Sequence, residues 1–144
     1  MDIIAYSAIP QNKCDFTVKG NALLCKHQSL GFEYEDDGKI DLAIAEYKKG
    51  LEYDPDDVAT LFNLGRAYLK ANKPLDALIV LHKVTNISDK DYEAYNLLGI
   101  AHGGIQEYAA AILVWEKSLS INPDQSDIIE MIKEYKKLSQ DKSN

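Results

Sequence analysis

Apolar side chains recur through most of the chain at steps of three and four residues, and short polar runs interrupt them at regular intervals. Leu30 and Tyr34 precede the polar run 36–38, and Tyr47 and Leu51 follow it. Side chains three or four residues apart share one face of an α-helix. The pattern therefore predicts two amphipathic helices joined by a turn, with their apolar faces in contact.

The same arrangement returns with a period of 34 residues. Three columns of small or large side chains share this period, which makes a chance origin improbable. The columns are Leu30-Gly31, Leu64-Gly65 and Leu98-Gly99; Ala43, Ala77 and Ala111; and Tyr47, Leu81 and Trp115.

The glycine column falls in the middle of predicted helices, where glycine costs about 0.5–1 kcal/mol relative to alanine. A cost repeated at Gly31, Gly65 and Gly99 indicates that a side chain there would clash with the second helix. The small residues of the alanine column suggest where that helix comes close.

These columns resemble the tetratricopeptide repeat (TPR), in which Leu-Gly, Tyr, Ala, an aromatic residue and Pro recur at fixed offsets. The resemblance covers residues 24–125 and implies repeats at 24–57, 58–91 and 92–125. The implied fold is all-α, an α-solenoid in which antiparallel helix pairs form a right-handed superhelix.

The two ends of the chain depart from the repeat. Residues 126–140 form one more amphipathic helix, but Lys133 and Lys136 occupy positions that would receive another second helix. We therefore expect a capping helix that closes a TPR domain spanning 21–140, followed by a frayed tail at 141–144.

Residues 1–20 carry apolar side chains without a helical period, and Pro10 interrupts them. Two interpretations stay open. The leader is either flexible, or an extended strand that docks on the repeats of its own chain or of a neighbour.

Composition and charge argue against several classes of function. The net charge is −7 and no basic cluster is present, which argues against a nucleic-acid partner. No apolar run approaches the roughly 20 residues that span a bilayer. The N-terminus lacks the positive region of a secretory signal, and Cys14 and Cys25 fit no metal motif. We expect reduced thiols and a cytoplasmic protein.

No catalytic constellation emerges from the sequence. His27, His82 and His102 form no metal-binding pair, and Gly103-Gly104 is not followed by the Lys of a phosphate-binding loop. The sequence predicts no catalytic residue, no metal site and no cofactor, and hence a protein that is not an enzyme.

The resemblance implies a concave groove formed mainly by the first helix of each repeat. In this frame an apolar centre flanked by amides and one guanidinium lines the groove. The predicted groove residues are Gln28, Phe32, Phe62, Asn63, Arg66, Leu69, Asn96, Leu97 and Ile100. The alternative is that several of these side chains pack against neighbouring repeats.

Some TPR proteins grip the acidic tail of heat-shock chaperones with a clamp of Lys, Asn and Arg. The corresponding places here hold Gln28, Phe32, Asn63, Glu93 and Leu97, of which only Asn63 matches. The resemblance therefore implies an apolar or amphipathic ligand, bound through one or two anchors.

We expect a protein–protein interaction module, an adaptor or scaffold that binds a peptide segment of a partner. One alternative is a self-assembling scaffold, a homo-oligomer in which the leader of one copy binds the groove of another. Another is a small chaperone for a type III secretion substrate, which the size and acidic charge fit.

Overall fold

A computed structural model describes residues 21–143, and this part of the chain consists of seven α-helices joined by short turns, without a strand. The helices are α1 Asn21–Asp36, α2 Ile40–Tyr53, α3 Val58–Lys70, α4 Pro74–Ile87, α5 Tyr92–Gly104, α6 Tyr108–Ile121 and α7 Ser126–Asp141. The predicted all-α class is confirmed. Residues 1–20, with both interpretations of the leader, lie outside the described residues.

Each helix packs on the next, so that α1–α2, α3–α4 and α5–α6 form three hairpins and α7 closes the stack. The first helices of the second and third repeats begin in the same way. Asp57 and Asp91 cap them, accepting hydrogen bonds from the amides of Thr60 and Ala94 at 2.8 and 3.2 Å. The predicted architecture of three repeats and a closing helix is confirmed.

The glycine column allows the second helix of each hairpin to approach the first closely, as the sequence predicts. A Cβ atom added to Gly65 would lie 2.6 Å from the Leu81 side chain, and one added to Gly99 would overlap Trp115. The atoms that would clash thus belong to the large column, and not to the alanines that the sequence suggested. Ala43, Ala77 and Ala111 are fully buried.

The closing helix buries its apolar stripe and exposes its lysines. Ile128, Ile132 and Tyr135 are buried, and the Tyr135 ring meets the Trp115 ring edge-on at 4.8 Å between centroids. Lys133 is largely exposed. One face of α7 therefore covers the third repeat, and the other presents charge where a further hairpin would need apolar contact.

The turn inside each hairpin contains one residue in the left-handed region, at the same place in every repeat. These residues are Gly38, Asn72 and Gln106, with φ of 75°, 56° and 62°. The amide of the following residue donates to a carbonyl of the preceding helix at 2.8–2.9 Å, which ends the helix in each repeat.

Gln106→Gly should raise the free energy of unfolding by about 0.5–1 kcal/mol, because glycine alone adopts a positive φ without steric cost. Urea denaturation followed by circular dichroism measures the change. Gly38→Ala, the reverse exchange in the first repeat, should lower stability by a similar amount. Equal stability of wild type and both variants would contradict this reading of the turns.

Candidate functional site

The candidate site is the face of the first helices α1, α3 and α5 that points away from the second helices. We call it the concave face and define it by nine side chains, three from each first helix. They are Cys25, Ser29 and Phe32; Ala59, Asn63 and Arg66; and Glu93, Leu97 and Ile100. At 100° per residue these positions lie about 100–160° around the helix from the glycine that contacts the second helix.

The residues predicted to line the groove are nearly all buried. The sequence predicted these nine as groove-lining residues, and eight of them are almost fully buried. Their exposed fractions are Gln28 2%, Phe62 0%, Asn63 0%, Arg66 2%, Leu69 8%, Asn96 0%, Leu97 1% and Ile100 1%. Only Phe32 is half-buried. Any role of these residues in binding a partner stays a prediction.

Two of the buried amides connect consecutive repeats. Gln28 donates to the Asp57 carboxylate at 3.0 Å and to the Thr60 hydroxyl at 2.6 Å. Asn96, two periods later, donates to the Gln125 side chain at 2.6 Å. Asp57 and Gln125 are the N-cap residues of the next first helices, α3 and α7. These amides therefore fix the spacing between neighbouring first helices.

The apolar members of the predicted groove belong to the protein core. Phe62, Leu69, Leu97 and Ile100 are part of one cluster of buried side chains that runs from α3 to α7. This outcome follows the alternative that the sequence left open, in which they pack against neighbouring repeats.

Arg66 is committed to a buried charge cluster that spans the first two repeats. Glu35, with 5% of its side chain exposed, accepts hydrogen bonds from Arg66, from Lys70 and from the Tyr47 hydroxyl, each at 2.7 Å. Two cations thus meet one carboxylate between α1 and α3.

Burial by itself would raise the pKa of Glu35. The Arg66 charge and the hydrogen bonds from Lys70, Tyr47 and Arg66 outweigh that effect and hold the pKa below its ordinary value. Burial, together with the bond to Glu35, raises the pKa of the Tyr47 hydroxyl far above its usual range. Glu35 is therefore ionised, and Tyr47 neutral, throughout the physiological range.

Sequence reasoning singled out Tyr47 and Arg66 separately and missed their association with Glu35. Glu35 and Arg66 are 31 residues apart and occupy different positions of their repeats. The sequence did contain a signal for this association. Glu35 lies near the end of α1 and Arg66 near the end of α3, and consecutive first helices lie side by side in the solenoid.

The electrostatics change sign toward the third repeat. Burial raises the pKa of Glu93 and the neighbouring Asp91 charge raises it further. Burial is the larger cause, and the Asp91 charge close to Glu93 acts in the same direction. An acidic ligand would therefore meet repulsion at the α5 end of the concave face.

The histidines form pairs and not a metal centre. His102 bonds to Glu107 at 2.7 Å and its ring lies 5.9 Å from that of His82, while His27 bonds to Glu46 at 2.7 Å. Among residues 21–143 no group of three His, Cys, Asp or Glu side chains could hold a metal ion.

No helix among residues 21–143 is long and apolar enough to cross a membrane.

Cys25 is disulfide-bonded and 1% exposed. The expectation of reduced thiols is therefore wrong for this residue. Disulfides persist mainly in oxidising compartments, so the bond gives no support to the cytoplasmic localisation that the sequence favoured. Cys14, the other cysteine of the chain, lies outside the described residues.

Comparison with known proteins adds to this geometry. A family model described as "TPR repeat" matches residues 31–72, and one described as "Tetratricopeptide repeat" matches residues 92–125. Together they span more than half of the chain. A search of curated proteins found no match.

Solved structures resemble the chain over most of its length. The first TPR domain of the human RPAP3 protein is 23% identical with a TM-score of 0.78, covering 85% of this chain and 96% of that one. The first TPR of Spaghetti (RPAP3), bound to the HSP90 peptide SRMEEVD, is 22% identical with a TM-score of 0.79, covering 83% and 94%. MamA is 32% identical with a TM-score of 0.75, covering 77% of this chain and 65% of MamA.

Proposed function

Because this chain belongs to the tetratricopeptide-repeat family, we propose that it is a non-catalytic interaction module that binds a peptide segment of a partner protein along its concave face. The observation that carries the proposal is the array of first helices. The first helices α3 and α5 start alike, side-chain amides bond α1 to the start of α3 and α5 to the start of α7, and one row of side chains lies away from the second helices.

Neighbours in structure support this use of the fold. The RPAP3 domains are described with an HSP90 peptide, SRMEEVD, and with an HSP70 peptide, SGPTIEEVD. An extended peptide crossing the first helices would meet the half-buried Ser29 and Phe32 near the first repeat and the half-buried Glu93 near the third. Partly buried apolar anchors such as Phe32 supply most of the affinity in peptide recognition.

The ligand of this chain differs in charge from those two peptides. Gln28 is hydrogen-bonded to Asp57 and Thr60, and Glu93 with Asp91 makes the third repeat negative. Each peptide would place three acidic side chains and a terminal carboxylate near Asp91 and Glu93. We propose an apolar or amphipathic segment, neutral or basic in net charge.

The peptide SRMEEVD should therefore not bind measurably at about 1 mM, an affinity weaker than roughly −4 kcal/mol. Fluorescence anisotropy of the labelled peptide tests this, with the first RPAP3 domain as the positive control. Micromolar binding by this chain would contradict the proposed ligand charge while leaving the interaction function in place.

Selection of ligands from a displayed peptide library against the full chain tests the function itself. We expect enriched sequences to share two or three apolar positions and few carboxylates. Variants selected in parallel should include Ser29→Arg, which adds bulk on the concave face, and Ile79→Arg, which adds it to a residue 72% exposed on α4. Enrichment of no sequence, or equal enrichment by both variants, would overturn the proposal.

Self-association is a second candidate, favoured by exposed apolar side chains on the second helices. Leu75, Ile79 and Leu113 are 64%, 72% and 66% exposed. Pairing of these faces would place the homo-oligomer interface opposite the concave face and leave both functions compatible. Sedimentation velocity at two concentrations, for wild type and Ile79→Arg, distinguishes an oligomer from a monomer.

A further inference from the structure

The closing helix α7 takes the position of a first helix but carries no second helix among residues 21–143. In the hairpins, a second helix packs on its own first helix and on the next one, as α4 packs on α3 and α5. In the same way α6 packs on α5 and α7. The faces of α6 and α7 that a further second helix would cover therefore lie open in this part of the chain.

A groove of about 390 Å³ lies between these two faces, and we call it the α6–α7 groove. Its described lining is Ala109, Ile112 and Leu113 from α6, and Lys136, Ser139 and Gln140 from α7. Leu113 is 66% exposed, and Ile129 of α7 is 39% exposed. The three α6 residues recur at steps of three and one, as in the apolar stripe of a helix that faces a neighbour. An exposed apolar floor between two helices suits the apolar face of a third helix.

Cations gather on the α7 side of the groove. Lys136 is part of its described lining, which includes no carboxylate. At 100° per residue Ile129, Lys133, Lys136 and Gln140 fall within about 60° of one another, so they share one face of α7. Residues 133–142 contain four lysines and two carboxylates, a net charge of +2 in a chain whose net charge is −7.

The ion pairs that these lysines already form are weak. Lys133 pairs with Glu130 at 2.9 Å and Lys136 with Glu116 at 3.8 Å, and all four side chains are at least half exposed. Exposed pairs of this kind contribute little to stability, because water screens both charges. An ammonium group has three N–H donors, so a carboxylate from a ligand can bind beside the first one.

We propose that the α6–α7 groove binds one amphipathic helix of a partner protein, with an apolar face over Leu113 and carboxylates toward Lys133 and Lys136. A wholly apolar helix would cover the two ammonium groups without giving them partners. A helix that runs antiparallel to α7, as second helices do to first helices, places its N-terminal half near the basic C-terminal half of α7. The carboxylates should lie in that half, where the helix dipole also favours them. This site is separate from the concave face and does not rest on the proposed function.

Two stapled helical peptides of 14 residues, the length of α2, α4 and α6, test the chemistry of the ligand. Both carry leucines at steps of three and four. One has glutamates beside them in its N-terminal half, and the other has lysines at the same places. In fluorescence anisotropy the acidic peptide should bind the full chain at least about tenfold more tightly than the basic peptide. Equal affinities, or no binding of the acidic peptide at about 1 mM, would overturn the proposal.

Charge reversal locates the site. Lys133→Glu/Lys136→Glu should weaken binding of the acidic peptide at least about tenfold and strengthen binding of the basic one. Lys48→Glu/Lys90→Glu makes the same change in net charge at exposed positions away from α6 and α7, and should stay within about twofold of wild type. Leu113→Arg should weaken both peptides. Circular dichroism confirms equal helicity of the variants. Equal losses in the two double variants would reduce the effect to net charge and overturn the site.

Two further measurements exclude other occupants. Ser29→Arg, on the concave face, should bind the acidic peptide like wild type, and a loss of binding there would move the peptide to the concave face and overturn the groove site. Sedimentation velocity without peptide should show no self-association that Leu113→Arg abolishes, because such a result would assign the groove to a second copy of the chain. Binding of the acidic peptide in the groove, with no ligand found for the concave face, would uphold this inference and overturn the proposed function.

Discussion

Replacing Trp115 by alanine is expected to lower the free energy of unfolding by about 3–5 kcal/mol. Trp115 has no exposed surface, its indole N–H donates to the Asn96 carbonyl at 3.1 Å, and its ring packs on Tyr135. Its removal would leave a cavity beside Gly99, between the third hairpin and the closing helix.

Thermal unfolding followed by far-ultraviolet circular dichroism measures this loss, since the substitution removes the only tryptophan. A single domain of this size should melt roughly 10–20 °C lower. Leu113→Ala, on the same helix but 66% exposed, is the matched control and should change stability by no more than about 0.5 kcal/mol. Equal losses in both variants would contradict the packing of α6 described above.

Arg66→Ala is expected to cost about 2–4 kcal/mol, because it removes one of two cations from a buried carboxylate. Lys70 and the Tyr47 hydroxyl would remain on Glu35, which keeps the cost below that of a wholly unpaired charge. The double variant Glu35→Gln/Arg66→Ala should recover part of the loss. Lys133→Ala, in an exposed pair with Glu130, is the control and should cost about 0.5 kcal/mol or less.

The Arg66→Ala penalty should depend on pH in a defined direction. The folded-state pKa of Glu35 lies below the ordinary value of 4.5 for a glutamate, so the stability that Glu35 contributes is present above about pH 4.5. That contribution is lost as the pH falls through the folded-state pKa. The difference between wild type and Arg66→Ala should shrink on acidification, and a difference that grows below pH 4.5 would contradict the assignment.

A substitution that probes partner binding must leave the fold intact. Phe62→Ala and Arg66→Ala are unsuitable probes of partner binding. Phe62 is fully buried in the core and Arg66 bonds to Glu35, so either substitution alters the fold itself. Ser29, half-buried on the concave face, offers a cleaner site because Arg can be added there without deleting a described contact.

The fold could be predicted from the sequence because one period appears in several columns. Gly65 and Gly99 indicated the close approach of a second helix, and Lys133 and Lys136 indicated the end of the stack. Both features follow from local sequence and the geometry of a helix, without knowledge of distant contacts.

The candidate site was less predictable because its side chains are placed by contacts between repeats. Gln28 and Asn96 occupy a column that faces the N-cap of the next first helix, and their bonds to Asp57 and Gln125 cross 29 residues. Family geometry assigned this column to a groove. Which polar side chain finds its partner across a repeat boundary depends on the packed structure.

The most direct test of the central claim is the affinity of a library-selected peptide for wild type, Ser29→Arg and Ile79→Arg, all reduced and all shown to be equally helical. If a partner segment binds along the concave face, Ser29→Arg should weaken binding at least about tenfold, or roughly 1.4 kcal/mol. Ile79→Arg should stay within about twofold of wild type. Undiminished affinity in Ser29→Arg, with loss in Ile79→Arg, would place the partner on the second helices and contradict the claim.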